Sequence, residues 1–165
     1  MNPSLVGSEM CIRDRLTSKD MVSMLEEIPN KPLAFGANCG VGASDLLRTV
    51  LGFASLSPEL PIISKGNAGI PKFLNGEIHY DGTPELMSEY AILARDSGAK
   101  IIGGCCGTTP DHLKAMKFAL ETRPTSEKPS LTKIVTELGE FSSSSDGIDD
   151  TVTTSRRRGR RRLKT

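Results

Sequence analysis

What the sequence lacks already excludes several classes of protein. No run of apolar residues approaches the length of about 18 that a membrane-spanning helix needs, so a helical membrane protein is excluded. No pair of cysteines has the CxxC spacing of a zinc finger or zinc ribbon, which disfavours both. The first fifteen residues lack the apolar core and cleavage site of a signal peptide, and nothing else indicates export, so we expect a cytoplasmic protein.

The formal net charge of +1 averages two unlike regions. Residues 16–155 contain 12 basic and 18 acidic residues, whereas the last ten positions hold seven of the 21 basic residues. The chain has 165 residues, of which 37% are hydrophobic, and this length suits one domain of ordinary size. An acidic body is therefore followed by a basic tail.

The two ends differ from the middle of the chain. Residues 5–15 resemble one reading frame of a sequencing-library adapter joined to a gene fragment, and we predict that residues 1–15, including Cys11, are not natural protein. On this interpretation the N-terminal part of the natural protein is missing. From residue 124 onward Ser, Thr, Pro and Asp dominate, and apart from a short amphipathic stretch at 131–138 we predict a disordered tail over residues 124–165.

The tail ends in the basic run RRRGRRR, which could bind a nucleic acid or another anionic surface through phosphate contacts. No aromatic residue lies among these arginines to stack on bases. A solvated tail that aids solubility is therefore favoured over a nucleic-acid-binding tail.

Between the ends, strand and helix patterns alternate. Apolar residues at helical spacing follow capping residues, namely Thr17 or Ser18, Ser44 and Thr83, and the last of these precedes Pro84. The short runs that precede Gly-rich loops are continuously apolar, as in buried strands. We predict helices at 16–28, 45–56, 84–98 and 109–122, and strands at 32–36, 60–64 and 100–103.

This βα order predicts an α/β fold with a parallel sheet. The long Gly-rich loops all follow the strands, and the loops at the carboxyl ends of parallel strands build active sites. A closed eight-stranded barrel needs about 250 residues, so residues 16–123 would supply only about three βα units of its C-terminal part.

Three cysteines follow the predicted strands. Cys39 ends the first unit, and Cys105 and Cys106 end the third. If these loops share a face, the thiols suit a zinc site with three protein ligands and an open fourth position, where a substrate thiol could bind and stay deprotonated. Buried cysteines without a metal, or a disulfide, are the alternatives that spacing alone leaves open.

The sequence also resembles a known family, the homocysteine S-methyltransferases. The motifs that carry the resemblance are GANCGVGASDLLR, SKGNAGIPKF and ARDSGAKIIGGCCGTTPDHLKAM, which lie within residues 16–123. The family's (β/α)8 TIM barrel and zinc cofactor are implied for this chain, with Cys39, Cys105 and Cys106 as the metal ligands. The implied reaction, in methionine biosynthesis, transfers a methyl group to the thiol of homocysteine from a small donor, for which betaine is favoured.

Other positions are weaker candidates for substrate binding. Asn38 and Asn67 could orient ligands or stabilise their loops, and the backbone N–H groups of Gly103 and Gly104 could approach the substrate. Further candidates are Lys65 and Tyr80 for substrate contacts, and His79 and His112, for which surface roles are favoured over metal ligation.

Two other functions stay open. The chain could use S-methylmethionine or a cobalamin- or folate-derived methyl group as donor, or it could be a non-catalytic zinc-binding module. Because the first five βα units of a barrel would be absent, we predict that the chain in isolation is poorly folded or inactive.

Overall fold

The computed structural model describes residues 17–39, 42–56, 59–74 and 76–142. They form a mixed α/β structure in which a three-stranded parallel sheet is packed against helices. The helices are α1 Ser18–Glu27, α2 Ala43–Ser55, α3 Pro84–Asp96, α4 Pro110–Thr122 and α5 Leu131–Leu138. The strands are β1 Phe35–Asn38, β2 Ile62–Gly66, β3 Lys72–Leu74, β4 Glu77–His79 and β5 Ala99–Gly104.

The parallel sheet has the order β1-β2-β5, so β2 lies between the other two strands. Asn38 pairs with Lys65 in β2, and Lys65 pairs in turn with Gly103 in β5. The carboxyl ends of all three strands therefore meet at one edge of the sheet. This arrangement confirms the predicted α/β fold and is consistent with part of a barrel, although these three strands do not close into one.

The core lies between the sheet and helices α2 and α3. Leu47 and Val50 of α2 and Met87 and Tyr90 of α3 have no exposed surface. Burial of each of the aliphatic side chains stabilises the fold by about 1.5–3 kcal/mol. The packing of α2 and α3 fixes where the strands end, and with them the loops that follow.

Two helices have the capping residues that the sequence predicted. Thr17 caps α1 and exchanges hydrogen bonds with Asp20, so that Thr17 rather than Ser18 is the capping residue. Thr83 caps α3, its hydroxyl accepts the N–H of Leu86 at 3.2 Å, and Pro84 occupies the first turn. The predicted strands lie two or three residues too early at β1 and β2, because continuous apolar runs do not mark the end of a strand.

The predicted cap of α2 is wrong. Helix α2 begins at Ala43, and its N-cap is Gly42, which has no side chain to bind the first turn. The Ser44 hydroxyl instead donates to the Glu140 carbonyl at 3.3 Å. The sequence could not show this contact, because its two partners lie 96 positions apart.

A hairpin of β3 and β4 was not predicted within the loop after β2. Lys72 pairs with His79 and Leu74 with Glu77 in antiparallel register. All six strand residues are exposed, so there is no alternation of buried and exposed positions to detect. The Asn-Gly dipeptide at 75–76 was the available signal, since it favours tight hairpin turns.

The short amphipathic stretch expected at 131–138, within the tail that begins at residue 124, forms helix α5 and packs on the core. Ser130 caps this helix through the N–H of Lys133 at 3.2 Å, and Ile134 is completely buried against the core. Residues 143–165, with the basic run, lie outside the described residues. Among those described, no helix is both long and apolar enough to cross a membrane.

Candidate metal centre

Cys39 directly follows β1 and has an unusual backbone conformation. Its φ of 64° is the one positive value that a residue other than glycine adopts in the described part of the chain. Such a conformation costs about 1–3 kcal/mol and persists only where surrounding contacts enforce it. One of these contacts is the hydrogen bond from the Cys39 N–H to the Lys65 carbonyl, at 2.9 Å.

Cys105 and Cys106 directly follow β5. The Cys105 N–H donates to the Gly66 carbonyl at 2.7 Å, and the Ala68 N–H donates to the Cys106 carbonyl at 2.9 Å. The end of β2 therefore holds both cysteine loops, one through Lys65 and the other through Gly66. This central strand brings together cysteines that are 67 positions apart in the chain.

The three sulfur atoms lie close enough to share one metal ion. All three lie within 4.8 Å of one another, the distance from Cys39 Sγ to Cys106 Sγ is 3.6 Å, and that from Cys105 Sγ to Cys106 Sγ is 3.9 Å. A tetrahedral zinc ion with bonds of about 2.3 Å to sulfur places its ligands about 3.8 Å apart. The three thiols, all partly buried, therefore fit a zinc ion with a fourth position left for another ligand.

Asn67 positions Cys106. The Asn67 side chain is 1% exposed, and its Oδ1 accepts the N–H of Cys106 at 3.2 Å. The other predicted asparagine, Asn38, is exposed, and its Nδ2 lies 3.9 Å from Cys105 Sγ. Both residues therefore lie beside the sulfur cluster, but Asn67 supports a ligand from within the fold whereas Asn38 contacts one at the surface.

Glycines allow the second cysteine loop to turn sharply. Gly107 has a φ of 73°, and a Cβ atom there would lie 2.4 Å from Cβ and Cγ of Tyr80. A Cβ atom on Gly104 would lie 2.3 Å from the Thr108 side chain. The third glycine, Gly103, has room for a Cβ atom, since the nearest atom would be 3.6 Å away on Lys65. Gly103 and Gly104 end β5 next to Cys105, so both lie beside the cluster.

The cluster has its own electrostatic character. The hydrogen bond between the thiols raises the pKa of Cys106 above its ordinary value, because Cys39 interacts with its protonated form; contact with Tyr80 acts in the opposite direction. Partial burial, followed by the hydrogen bond with Cys106, raises the pKa of Tyr80. The Tyr80 hydroxyl is therefore a neutral group beside the sulfur atoms near pH 7.

The remaining candidates divide between the cluster and other sites. Lys65 lies at the end of β2 with an exposed side chain, whereas His79 is exposed in the hairpin. The sequence pattern suggested a surface role for His112, but this residue is buried, with 8% of its surface exposed. Its Nδ1 accepts the N–H of Thr109 at 3.1 Å and its Nε2 lies 2.8 Å from the Gly82 carbonyl, so it fastens α4 to the loop before α3.

Two of the cavities beside the sheet differ in their position relative to the thiols. A cavity of about 230 Å³ is lined by Gly36, Ala37, Asn38, Ile63 and Lys65, and it follows β1 and β2 toward the cysteines. A larger cavity of about 410 Å³ is lined by α1 and by residues that precede β1 and β2, so it lies at their amino ends, away from the thiols. The smaller cavity is therefore the one that adjoins the candidate centre.

The fold and the cluster together define an α/β protein that can hold a metal ion through three thiols at the carboxyl edge of a parallel sheet. The family model described as homocysteine S-methyltransferase matches residues 4–120, more than half of the chain. The chain belongs to this methyltransferase family, which confirms the resemblance in its motifs. The match begins within residues 1–15, and the adapter origin of that segment stays a prediction.

Proposed function

We propose that this chain is part of a zinc-dependent methyltransferase that converts homocysteine to methionine, with betaine as the methyl donor. The observation that carries the proposal is the group of three sulfur atoms within 4.8 Å of one another, in a chain of the homocysteine S-methyltransferase family. A set of three protein ligands among the described residues suits a catalytic zinc site, because a structural site has four protein ligands.

In this proposal Cys39, Cys105 and Cys106 hold the zinc ion. A bound zinc ion would lower the pKa of a fourth sulfur ligand and keep it as a thiolate at neutral pH. Homocysteine would lose its thiol proton to the solvent as it binds. Its sulfur would then form a bond to the methyl carbon of betaine while the nitrogen–carbon bond breaks, and the electron pair of that bond would stay on nitrogen in dimethylglycine.

The other residues near the cluster would orient the reactants. Asn67 would fix the backbone of Cys106, and Asn38 would face the substrate beside Cys105. The N–H groups of Gly103 and Gly104 would approach the amino-acid end of homocysteine. The smaller cavity supports this placement, since it leads along the sheet to Asn38 and Lys65.

The open edges of the sheet at β1 and β5 support a further part of the proposal. The chain would contribute about three βα units to a (β/α)8 barrel, and residues that hold the amino group of the substrate would lie in the units that precede them. We therefore expect the isolated chain to bind zinc more readily than it transfers methyl groups, because all three thiols are present but half of the pocket is not.

X-ray absorption of the zinc-loaded chain tests the proposed site. We expect three sulfur ligands without substrate and a fourth when homocysteine is added. Homoserine, which has a hydroxyl in place of the thiol, is the control and should add no sulfur. If zinc keeps four protein ligands and gains no sulfur from homocysteine, the site is structural and the methyltransferase proposal is wrong.

The donor is tested on the longer protein encoded by the genomic sequence that contains residues 16–165. Methionine formation would be measured with betaine, S-methylmethionine and methylcobalamin in parallel. We expect betaine to be the best donor. A higher rate with either of the others would replace betaine in the proposal without changing the role of the thiols.

A further inference from the structure

A short C-terminal segment, residues 139–142, crosses the start of α2, and we call it the C-terminal strap. Its Glu140 carbonyl accepts the Ser44 hydroxyl at 3.3 Å. Its Ser142 N–H donates to Asp45 Oδ2 at 3.0 Å. The strap therefore binds two successive residues of the first turn of α2, and both bonds use its backbone.

A charged pair beneath the strap extends this contact. Arg48 is 7% exposed, and its Nη2 lies 2.9 Å from Asp45 Oδ1. The Phe141 ring covers the same guanidinium group, with its centroid 4.5 Å from the central carbon. Asp45 thus connects Arg48 on one oxygen with the Ser142 backbone on the other, so α2 and the strap are joined by polar and aromatic contacts.

The start of α2 needs such support, because its N-cap is Gly42 and no side chain closes its first turn. Helix α5 fixes the strap in place. Ile134 is completely buried, and Leu138 and Phe141 pack against the same core. The family match ends at residue 120, so α5 and the strap both lie beyond it.

The turn that the strap binds begins four residues after Cys39. Cys39 holds a positive φ, and a conformation of this kind persists only where surrounding contacts enforce it. On one side β1 and the bond to the Lys65 carbonyl fix it. On the other side the loop leads into the uncapped start of α2, which the strap holds.

We propose that the C-terminal strap positions Cys39 for metal binding, with Phe141 and the Ser142 N–H as its positioning groups. This inference rests on the metal site proposed above. Without the strap, the first turn of α2 would gain freedom and Cys39 would leave its conformation more often, so that the third thiol would be poorly placed. The effect should therefore appear in metal affinity, and not only in the stability of the fold.

A matched pair of substitutions tests this in the 165-residue chain. Ser142→Pro removes the N–H that binds Asp45, whereas Ser142→Ala keeps it and serves as the control. Phe141→Ala removes the ring over Arg48 and leaves the backbone bonds intact, so the test does not depend on one variant. The affinity for Co²⁺ is measured by competition with a chelator, at a temperature where circular dichroism shows the metal-free proteins to be folded.

We expect Ser142→Pro and Phe141→Ala to weaken Co²⁺ binding about tenfold, the lower end of the effect of losing a partner that orients a ligand. Their thiolate-to-cobalt absorption should weaken as well, and Ser142→Ala should match the unsubstituted chain. Affinities within twofold of that chain for both test variants would overturn the inference alone. Failure of the unsubstituted chain to bind Co²⁺ through thiolates would instead overturn the proposed function, and the inference with it.

Discussion

The two cysteine loops reach the same cluster by different means. The loop of Cys105 and Cys106 is held by residues next to it in space, since Gly66, Asn67 and Ala68 all bind its backbone. In the loop of Cys39, the Cys39 N–H binds the Lys65 carbonyl, and the chain then continues into a helix whose start has no side-chain cap. The end of β2 thus contacts both loops, and in our proposal the Cys39 loop depends on the C-terminal strap as well.

The comparison shows how one strand can serve two ligand loops unequally. Strand β2 is central in the sheet and offers the Lys65 carbonyl to one neighbour and the Gly66 carbonyl to the other. The loop after β5 also receives the Asn67 side chain, whose Oδ1 accepts the Cys106 N–H. We therefore expect substitutions in the loop of Cys105 and Cys106 to affect metal binding locally. Substitutions that affect Cys39 should act through α2.

The largest effect should follow from the loss of a ligand. Cys39→Ser or Cys106→Ser replaces a soft thiolate with a hydroxyl, and we expect each to weaken zinc binding more than about 100-fold, beyond the usual effect of losing an orienting partner. Cys11→Ser is the matched control and should change nothing. The zinc affinities are measured by competition with a chelator. If Cys106→Ser binds zinc nearly as tightly as the unsubstituted chain, the site does not use three thiols.

Asn67→Ala should have the next largest effect, since it leaves the partly buried Cys106 N–H without the oxygen that now accepts it. We expect zinc affinity to fall about 10- to 100-fold and the free energy of unfolding by about 1–3 kcal/mol. Asn38→Ala is the control, because its contact with Cys105 is long and exposed. Equal losses of zinc affinity for Asn67→Ala and Asn38→Ala would mean that Asn67 does not support the loop of Cys105 and Cys106 more than Asn38 does.

Alanine substitutions at two glycines with positive φ distinguish the cost of backbone strain from the cost of steric overlap. Gly107→Ala adds a Cβ atom that would overlap Tyr80, whereas Gly76→Ala meets nothing within 4 Å. We expect the free energy of unfolding to fall by about 2 kcal/mol for Gly107→Ala and about 1 kcal/mol for Gly76→Ala, as measured by urea denaturation. A smaller loss for Gly107→Ala than for Gly76→Ala would show that the second loop tolerates the overlap.

Tyr90 lies beneath β2, the strand that contacts both cysteine loops. Substitution of Tyr90 therefore tests how this strand is supported. Its hydroxyl lies 2.7 Å from Ser64 Oγ, so Tyr90→Phe leaves that oxygen without this partner and should lower the free energy of unfolding by about 1 kcal/mol. The Tyr90→Phe/Ser64→Ala double variant should lose less than the sum of the two single variants. Additive losses would contradict a direct hydrogen bond.

The same residue predicts a dependence on pH. Burial raises the pKa of Tyr90 to about 12, from 10.0 for an ordinary tyrosine. Between these values the unfolded chain releases a proton that the folded chain keeps, so stability should fall as pH rises from 10 to 12. Urea denaturation across this range should show a shallower fall for Tyr90→Phe, and an unchanged slope would contradict the burial of this hydroxyl.

The order of strands and helices could be predicted because it depends on local signals. Thr17 and Thr83 cap their helices as their positions indicated, and Pro84 marks the start of α3. The meeting of the cysteines could also be predicted, since each follows a strand and parallel strands end at one edge. The contact of Ser44 could not be predicted in this way, because it binds a distant carbonyl. The hairpin has no buried face, so the Asn-Gly dipeptide at 75–76 was the local signal left to indicate it.

The sequence by itself determined the α/β order, the family and the three thiols that could share a metal. Only the tertiary structure decided which groups hold those thiols in place. The hydrogen bonds between Asn67 and Cys106 and between Ser142 and Asp45 join residues 39 and 97 positions apart. Such contacts leave no periodic pattern along a chain, because they form only after the strands and helices have packed and brought the partners together.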